Sequence, residues 1–226
     1  MKNRLHKRIW AMLLALVMGV GVLPLPARAA NAFDDYADLD RNAWYAPGVG
    51  YCLEKNVMAG QGTVTRRFEP YAKMTRAQLA ATLWRMAGKP EIGLSMQFVD
   101  VDEDVWYAEA VRWTLSTEIF VGDSAARFMP DEPVTREQLI AALWRCARYM
   151  NGFVPDLGDG EYRRYSDAGE VSDYAREAMC WACAMGVISG DGDRTGRAWL
   201  NPAYYATRAE VATILMRFCL DMGLYE

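Results

Sequence analysis

Three stretches of the chain read TRAQLAATLWRM at residues 75–86, TREQLIAALWRC at residues 135–146 and TRAEVATILMRF at residues 207–218. Each opens on Thr-Arg and has Gln or Glu three residues after the threonine, which is the pattern of a capping box at a helix start. Apolar residues then recur at a 4-3 spacing, so each stretch predicts a helix with one apolar face. The apolar sets are Leu79, Leu83 and Met86; Leu139, Leu143 and Cys146; and Val211, Leu215 and Phe218.

The residues ahead of each stretch repeat in the same order. An aspartate is followed six or seven residues later by an aromatic residue, then by a glycine, and then by a proline. The segment between the aromatic residue and the glycine predicts a first helix, whereas Gly88 with Pro90, and Asn151 with Gly152, predict the ends of two second helices. The successive residues are Asp38, Trp44, Gly60 and Pro70; Asp100, Trp106, Gly122 and Pro130; and Asp167, Tyr174, Gly190 and Pro202.

Each repeat therefore predicts a helix, a loop and a second helix. One such unit cannot bury its own apolar face, whereas three units that share a core can. We predict a mainly α fold of three helix-loop-helix repeats, at residues 30–90, 91–152 and 153–226.

The first 29 residues predict a secretory signal peptide. Four basic residues lie among the first eight, an apolar run of fifteen extends from Ile9 to Leu23, and Ala27-Arg28-Ala29 has the A-x-A pattern of a cleavage site. The apolar run is short for a membrane span. We expect cleavage after Ala29, and the alternative is an uncleaved N-terminal anchor.

Charge and histidine content restrict the function. Cleavage after Ala29 would leave 20 basic and 29 acidic residues, a net charge of −9, against −4 for the whole chain. Such a chain has no general attraction to nucleic acid or anionic lipid, so we predict neither partner once the signal peptide is removed. The single histidine, His6, would also be lost, which excludes a Ser-His-Asp triad, a Cys-His pair or a histidine metal site.

The cysteines do not form a paired framework, because their number is odd and no spacing repeats. We expect buried free thiols, except that Cys180 should be exposed because Gly50 and Arg112 hold the matching positions. Asp38-Leu39-Asp40 lacks the twelve-residue pattern of a calcium loop, so no metal and no cofactor is predicted. The five cysteines are Cys52, Cys146, Cys180, Cys183 and Cys219.

The repeated pattern resembles the S-layer homology motif, over nearly all of the predicted mature chain. In the second repeat the motif is carried by Phe98-Val99-Asp100, Trp106-Tyr107, Gly122, Phe128-Met129-Pro130 and Thr135-Arg136-Glu137-Gln138. The resemblance implies a pseudo-threefold arrangement around a shared helical core. It also implies non-covalent anchoring to a secondary cell-wall polysaccharide, which often carries pyruvate ketals.

The arginine of each Thr-Arg pair is the main candidate for binding. A cation in the first turn of a helix is unfavourable by roughly 0.3–1 kcal/mol, yet Arg76, Arg136 and Arg208 all stand there. A guanidinium beside free N–H groups suits a carboxylate, such as that of a ketal pyruvate. The alternative is a salt bridge to an acid of a neighbouring repeat. The fold should survive removal of all three arginines, because the threonine caps and the apolar faces are untouched.

Two further sets complete the predicted carbohydrate site. The aromatic residues Trp44, Trp106 and Tyr174 either stack on sugar rings or belong to the core. Tyr174 departs from the tryptophan of the family, which puts the third site in question. The aspartates either hydrogen-bond sugar hydroxyls, brace the loop or cap an Asx turn, and they are Asp38, Asp100 and Asp167.

The sequence thus predicts a secreted cell-wall or surface-layer protein that binds an acidic, pyruvylated secondary cell-wall polysaccharide attached to peptidoglycan. The alternative is a structural subunit that binds other surface-layer proteins. An enzyme is not predicted, because the three repeats occupy the predicted mature chain and no pair of acids stands out as a catalytic pair.

Overall fold

The computed structural model describes residues 33–60, 66–122, 126–152, 154–155, 158 and 160–225. The predicted signal peptide lies outside these residues. Within the part of the chain that the structure describes, no helix has the length and apolar character needed to cross a bilayer.

The described residues are mainly helical, as predicted. The first helices of the three repeats are α1 (Ala46–Glu54), α3 (Ala108–Ser116) and α5 (Arg176–Ala184), and the second helices are α2 (Arg76–Met86), α4 (Arg136–Asn151) and α6 (Arg208–Asp221). The long third loop forms an antiparallel hairpin of β1 (Asp191–Gly192) and β2 (Ala198–Trp199), with Asp191 opposite Trp199. Short 3-10 helices span Phe33–Asp35, Glu161–Arg164, Ala168–Glu170 and Asp173–Ala175.

All three predicted capping boxes are present at the starts of α2, α4 and α6. In α2, the Thr75 hydroxyl accepts from the Gln78 N–H at 3.3 Å, and the Gln78 side chain accepts from the Thr75 N–H at 3.2 Å. The C-terminus of α4 is closed by Gly152, whose φ of 70° suits a residue without a side chain. The predicted apolar faces of these helices are buried.

The repeat glycines allow close packing against the aromatic residue two positions before the aspartate of each repeat. A Cβ atom at any of them would clash with that ring and with a backbone carbonyl. The distances to the ring carbon Cε1 would be 2.1 Å from Gly60 to Tyr36, 2.4 Å from Gly122 to Phe98 and 2.6 Å from Gly190 to Tyr165.

Each second helix packs against the first helix of another repeat. α2 packs against α3, α4 against α5, and α6 returns to pack against α1. A cycle of backbone hydrogen bonds joins the segments before the second helices: Met74 donates to Ala206 at 2.9 Å, Ala206 to Val134 at 3.0 Å, and Val134 to Met74 at 2.9 Å. The three repeats therefore share one closed set of junctions, while the pseudo-threefold symmetry of whole repeats stays a prediction.

The five cysteines are buried free thiols, which corrects the prediction for Cys180. Its side chain is only 2% exposed, and Arg112 at the matching position is also buried. The matching position is thus buried even where it holds an arginine, so the residue type there does not indicate exposure, and in the third repeat the 3-10 helix Glu161–Arg164 also packs against α5.

Candidate functional site

The three predicted arginines are buried at the junctions between repeats. Arg76, Arg136 and Arg208 occupy the first position of α2, α4 and α6, and they are 8%, 5% and 4% exposed. In each case Nε donates to the carbonyl two residues before the proline of another repeat. The acceptors are Phe128 at 2.6 Å, Leu200 at 2.7 Å and Phe68 at 2.7 Å, respectively.

The partners of the other guanidinium nitrogens, Nη1 and Nη2, differ among the three junctions. Nη2 of Arg76 donates to the Val121 carbonyl at 3.3 Å, and Nη2 of Arg208 donates to the Ala59 carbonyl at 2.7 Å. Nη1 of Arg136 instead forms an ion pair with Glu210 at 3.1 Å. The proposed alternative, a salt bridge to an acid of another repeat, is therefore present for Arg136.

Aromatic rings cover two of the three guanidinium groups. Arg208 lies 4.7 Å from the centre of the Phe68 ring, and Arg76 lies 4.9 Å from the centres of both Phe120 and Phe128. Burial lowers the pKa of Arg76 and of Arg208. These contacts hold the junctions together, and so they give a cation at a helix start a structural role, while ligand binding by these arginines stays a prediction.

The repeat aspartates brace the loop before each proline. Asp38 accepts from the N–H groups of Phe68 and Glu69 at 2.8 and 2.7 Å. Asp100 binds the N–H groups of the matching residues of its repeat at 2.8 and 2.8 Å, and Asp167 does so at 2.9 and 2.6 Å. The structure thus contains the bracing interaction, and a role in binding sugar stays a prediction for these aspartates.

This bracing holds a backbone conformation that is unusual for residues with a side chain. The second residue bound by each aspartate has a positive φ, of 58° at Glu69, 58° at Met129 and 53° at Asn201. Left-handed conformations are uncommon outside glycine. The two hydrogen bonds to one carboxylate therefore fix the loop whose carbonyl receives the arginine.

The predicted aromatic residues are on the surface and not in the core. Trp44, Trp106 and Tyr174 are 57%, 64% and 52% exposed. Trp44 and Trp106 each contact the next tyrosine edge to face, with ring centres 5.7 and 5.1 Å apart. The Tyr174 hydroxyl donates to Glu137 at 3.1 Å, and its pKa is raised by burial and by that carboxylate.

Exposed aromatic residues and buried arginines meet at grooves between repeats. Groove 1 lies where α2 faces the residues before α3, and its volume is about 370 Å³. It combines residues of all three repeats: Gly60, Gln78 and Arg85 of the first, Trp106, Tyr107 and Asp131 of the second, and Arg208 of the third.

Groove 2 is built from the matching elements one repeat further along. It lies where α4 faces the residues before α5, and its volume is about 320 Å³. The matching side chains are Gln138 and Arg145 from the second repeat, Tyr174 from the third and Arg76 from the first. At the third junction, between α6 and α1, the matching residues are Glu210, Arg217, Trp44 and Arg136.

Sequence reasoning did not single out the second arginine of each stretch, and it gave the Gln or Glu of each capping box no role besides capping. Arg85, Arg145 and Arg217 recur at the same place in the three stretches, and this recurrence was the available signal. Arg145 donates to the Ile119 carbonyl at 3.1 Å and Arg217 to the Ser189 hydroxyl at 3.0 Å. Among the described residues, the half-buried side chain of Arg85 has no hydrogen-bond or ion-pair partner.

Comparison with known proteins identifies what the repeats resemble. The family model described as the S-layer homology domain matches residues 35–80, 97–140 and 164–212, which is more than half of the chain. The surface-layer 125 kDa protein of Lysinibacillus sphaericus is 32% identical over 157 residues, which are 70% of this chain and 13% of that protein.

Two other relatives are similar over comparable stretches. An endoglucanase of a Bacillus species is 26% identical over 82% of this chain and 19% of its own length. A cellulosome-anchoring protein of Acetivibrio thermocellus is 25% identical over 66% of this chain and 33% of its own length. The chain thus spans a third or less of the length of each of these relatives.

Proposed function

The chain belongs to the S-layer homology family, and from this membership we propose that it anchors non-covalently to the bacterial cell wall by binding an acidic secondary cell-wall polysaccharide. Membership of the family and similarity to a surface-layer protein and to a cellulosome-anchoring protein support anchoring at the cell surface. The identity of the polymer and the grooves that hold it are the further content of the proposal.

The observation that carries the proposal is the meeting of three complementary groups in groove 1. Trp106 offers an exposed ring face on which a sugar can stack. Arg85 brings a guanidinium whose fork matches a carboxylate, and the buried Arg208, whose Nε and Nη2 already bind backbone carbonyls, adds positive charge to the same groove. Gln78 adds an amide of the kind that hydrogen-bonds hydroxyl groups.

The negative net charge of the chain means that an acidic polymer can bind only at a local group of positive side chains. With a net charge of −4 for the whole chain, the protein is repelled by a polyanion except where its arginines are grouped. A pyruvate ketal on a sugar joins a carboxylate to a ring, so it presents both groups that the groove accommodates. We therefore propose a pyruvylated polysaccharide attached to peptidoglycan as the partner.

We propose no enzymatic activity for these repeats. The endoglucanase relative matches over only 19% of its length, and the matched residues here are the repeats. Among the described residues, Asp131 is the only acid that lines groove 1 and no acid lines groove 2, so neither lining supplies the acid pair of a glycoside hydrolase.

Co-sedimentation with purified cell-wall sacculi tests the proposal. The protein should pellet with intact sacculi and remain in solution when the secondary polymer has first been extracted. Sacculi from which only the ketal has been removed by mild acid provide the matched control, and they should pellet less protein. Equal pelleting with intact and extracted sacculi would refute binding to the polymer.

A structural role in a surface layer is the second candidate. The observation in its favour is a set of exposed tyrosines on the loops after the repeat prolines, Tyr71, Tyr204 and Tyr205, which are 67%, 68% and 44% exposed. Aromatic residues are enriched at protein interfaces. This candidate predicts that the protein pellets with extracted walls that retain a surface layer, and that it does not pellet with the bare polymer.

A further inference from the structure

The three junctions are unequal in charge, although they are built from matching elements. At groove 1, Ala77 and Gln78 occupy the second and third positions of the helix, and neither is charged. At groove 2 the second position is Glu137, and at the third junction the third position is Glu210.

Glu137 is a buried acid beside groove 2. Its carboxylate is held by the Ser172 N–H at 3.0 Å, the Ser172 hydroxyl at 2.8 Å and the Tyr174 hydroxyl at 3.1 Å. Tyr174 lines groove 2 and corresponds to Trp106 of groove 1. The aromatic residue that would receive a sugar is therefore bound to a carboxylate of the chain itself, and a negative charge lies next to the place for an anion.

At the third junction the acid is Glu210, one position later in its helix than Glu137 is in α4. It completes the capping box of α6 with Thr207 and forms the ion pair with Arg136 at 3.1 Å. Arg217, the second arginine of this junction, is engaged with Ser189. Both guanidinium groups of the third junction thus have partners within the chain.

In groove 1, two guanidinium groups lie near each other without an ion pair. Among the described residues, neither Arg208 nor Arg85 has a carboxylate within ion-pair distance, and Arg208 is 4% exposed. Burial lowers the pKa of Arg208, the Glu69 carboxylate opposes this shift, and the positive charge of Arg85 adds to it. Burial also lowers the pKa of Arg85.

The acids around groove 1 act on Arg208 only from beyond ion-pair distance, where the Glu69 and Asp38 carboxylates oppose the lowering of its pKa by burial. Asp38 faces the loop N–H groups of Phe68 and Glu69 and is fixed there by two hydrogen bonds. Asp131 lines the groove but is exposed to solvent, where its charge is screened. An anion bound between Arg85 and Arg208 would relieve the repulsion between them.

We infer that groove 1 is the groove of this chain that accepts a carboxylate-bearing sugar, and that Glu137 and Glu210 close the other two junctions to anions. This inference rests on the proposed function and adds to it a stoichiometry of one acidic sugar for each chain. Arg85 is a specificity-determining residue in this arrangement, because it is the guanidinium at groove 1 that is free to turn toward a ligand.

Isothermal titration calorimetry of the purified protein tests the inference, with a methyl glycoside that carries a 4,6-linked pyruvate ketal as the probe. We expect one site for each chain and no binding of the same glycoside without the ketal. Arg85→Gln should weaken binding at least about tenfold, since a charge-assisted hydrogen bond is lost. The exposed Arg148, which stacks on Trp144, supplies the control Arg148→Gln, and its affinity should be unchanged.

Glu210→Gln is the complementary experiment, because it should open a binding site for the probe at the third junction. Gln78 and Gln138 form the same capping box, so the variant should fold, and a thermal melt will verify this. The substitution frees Arg136 and should raise the stoichiometry from one to two. Two or three sites in the unchanged protein, or full affinity in Arg85→Gln, would overturn the inference.

The sacculus assay separates failure of the inference from failure of the proposed function. A protein that pellets with intact sacculi but binds the probe at two sites, or binds it as well without Arg85, refutes only the assignment of groove 1. A protein that pellets but does not bind the probe likewise refutes the assignment and leaves wall binding in place. A protein that does not pellet refutes the proposed function.

Discussion

Replacing Arg208 with alanine should destabilise the fold, even though no ligand is present in the measurement. The guanidinium donates to the Phe68 carbonyl at 2.7 Å and to the Ala59 carbonyl at 2.7 Å, and it lies over the Phe68 ring. Both acceptors belong to the first repeat, whereas Arg208 opens the last helix. The substitution therefore removes contacts between repeats that are distant in sequence.

The change in the free energy of unfolding can be estimated from the contacts that Arg208→Ala removes. The buried Phe68 carbonyl and the half-buried Ala59 carbonyl each lose a donor, at up to about 1–3 kcal/mol each, and the contact with the ring contributes about 0.5–2 kcal/mol. Removal of a cation from the helix start returns about 0.3–1 kcal/mol, and the desolvation of the charge is also recovered. We expect a net loss of about 2–4 kcal/mol in the free energy of unfolding, which replaces the sequence-based expectation that the fold survives without its arginines.

Urea unfolding followed by circular dichroism measures this loss, with Arg85→Ala as the matched control. Both residues line groove 1 and both carry a guanidinium, but only Arg208 is hydrogen-bonded across a junction. Arg85→Ala should change the free energy of unfolding by less than about 1 kcal/mol. If the two variants unfold alike, the buried contacts of Arg208 do not stabilise the junction and the reasoning is wrong.

Two further predictions concern packing and pH. Gly122→Ala should cost about 2 kcal/mol or more, because its Cβ would lie 2.4 Å from the Phe98 ring, whereas Gly93→Ala, with no atom within 4 Å, should be nearly neutral in the same urea assay. Burial raises the pKa of Cys146 from 9.0 to about 12 and that of Cys219 from 9.0 to about 11, so both thiols favour the folded state below pH 9. Under reducing conditions the free energy of unfolding should therefore fall as the pH rises from 9 toward 12, and Cys-to-Ala variants at both positions should flatten that fall.

The local features of the fold could be predicted because they depend on residues close in sequence. The capping box of Thr75 and Gln78 and the apolar face of Leu79 and Leu83 are each determined within one helix. The left-handed backbone conformation of Gly152, which ends α4, could be predicted because glycine adopts it readily. Such features need no knowledge of what packs against the helix.

The carbonyl that each arginine binds could not be predicted in the same way. The position of Arg208 at a helix start was correct, but the carbonyl that it binds lies 140 residues earlier in the chain. Sequence spacing does not show that α6 returns to α1, and so the burial of the guanidinium was not foreseen. The same reason explains Arg85, which faces a groove made by three repeats, and Cys180, which is buried in a helix that packs against α4 of another repeat.

The cycle of hydrogen bonds through Met74, Val134 and Ala206 limits how many repeats one fold unit accepts. Each of these residues gives its N–H to one partner and its carbonyl to the other, so the cycle has no open end. An open solenoid, in contrast, grows by adding units to an exposed terminal repeat. In a chain with a fourth repeat, these backbone groups would already be paired. The fourth repeat would therefore have to fold separately, as the first repeat of a second three-repeat unit.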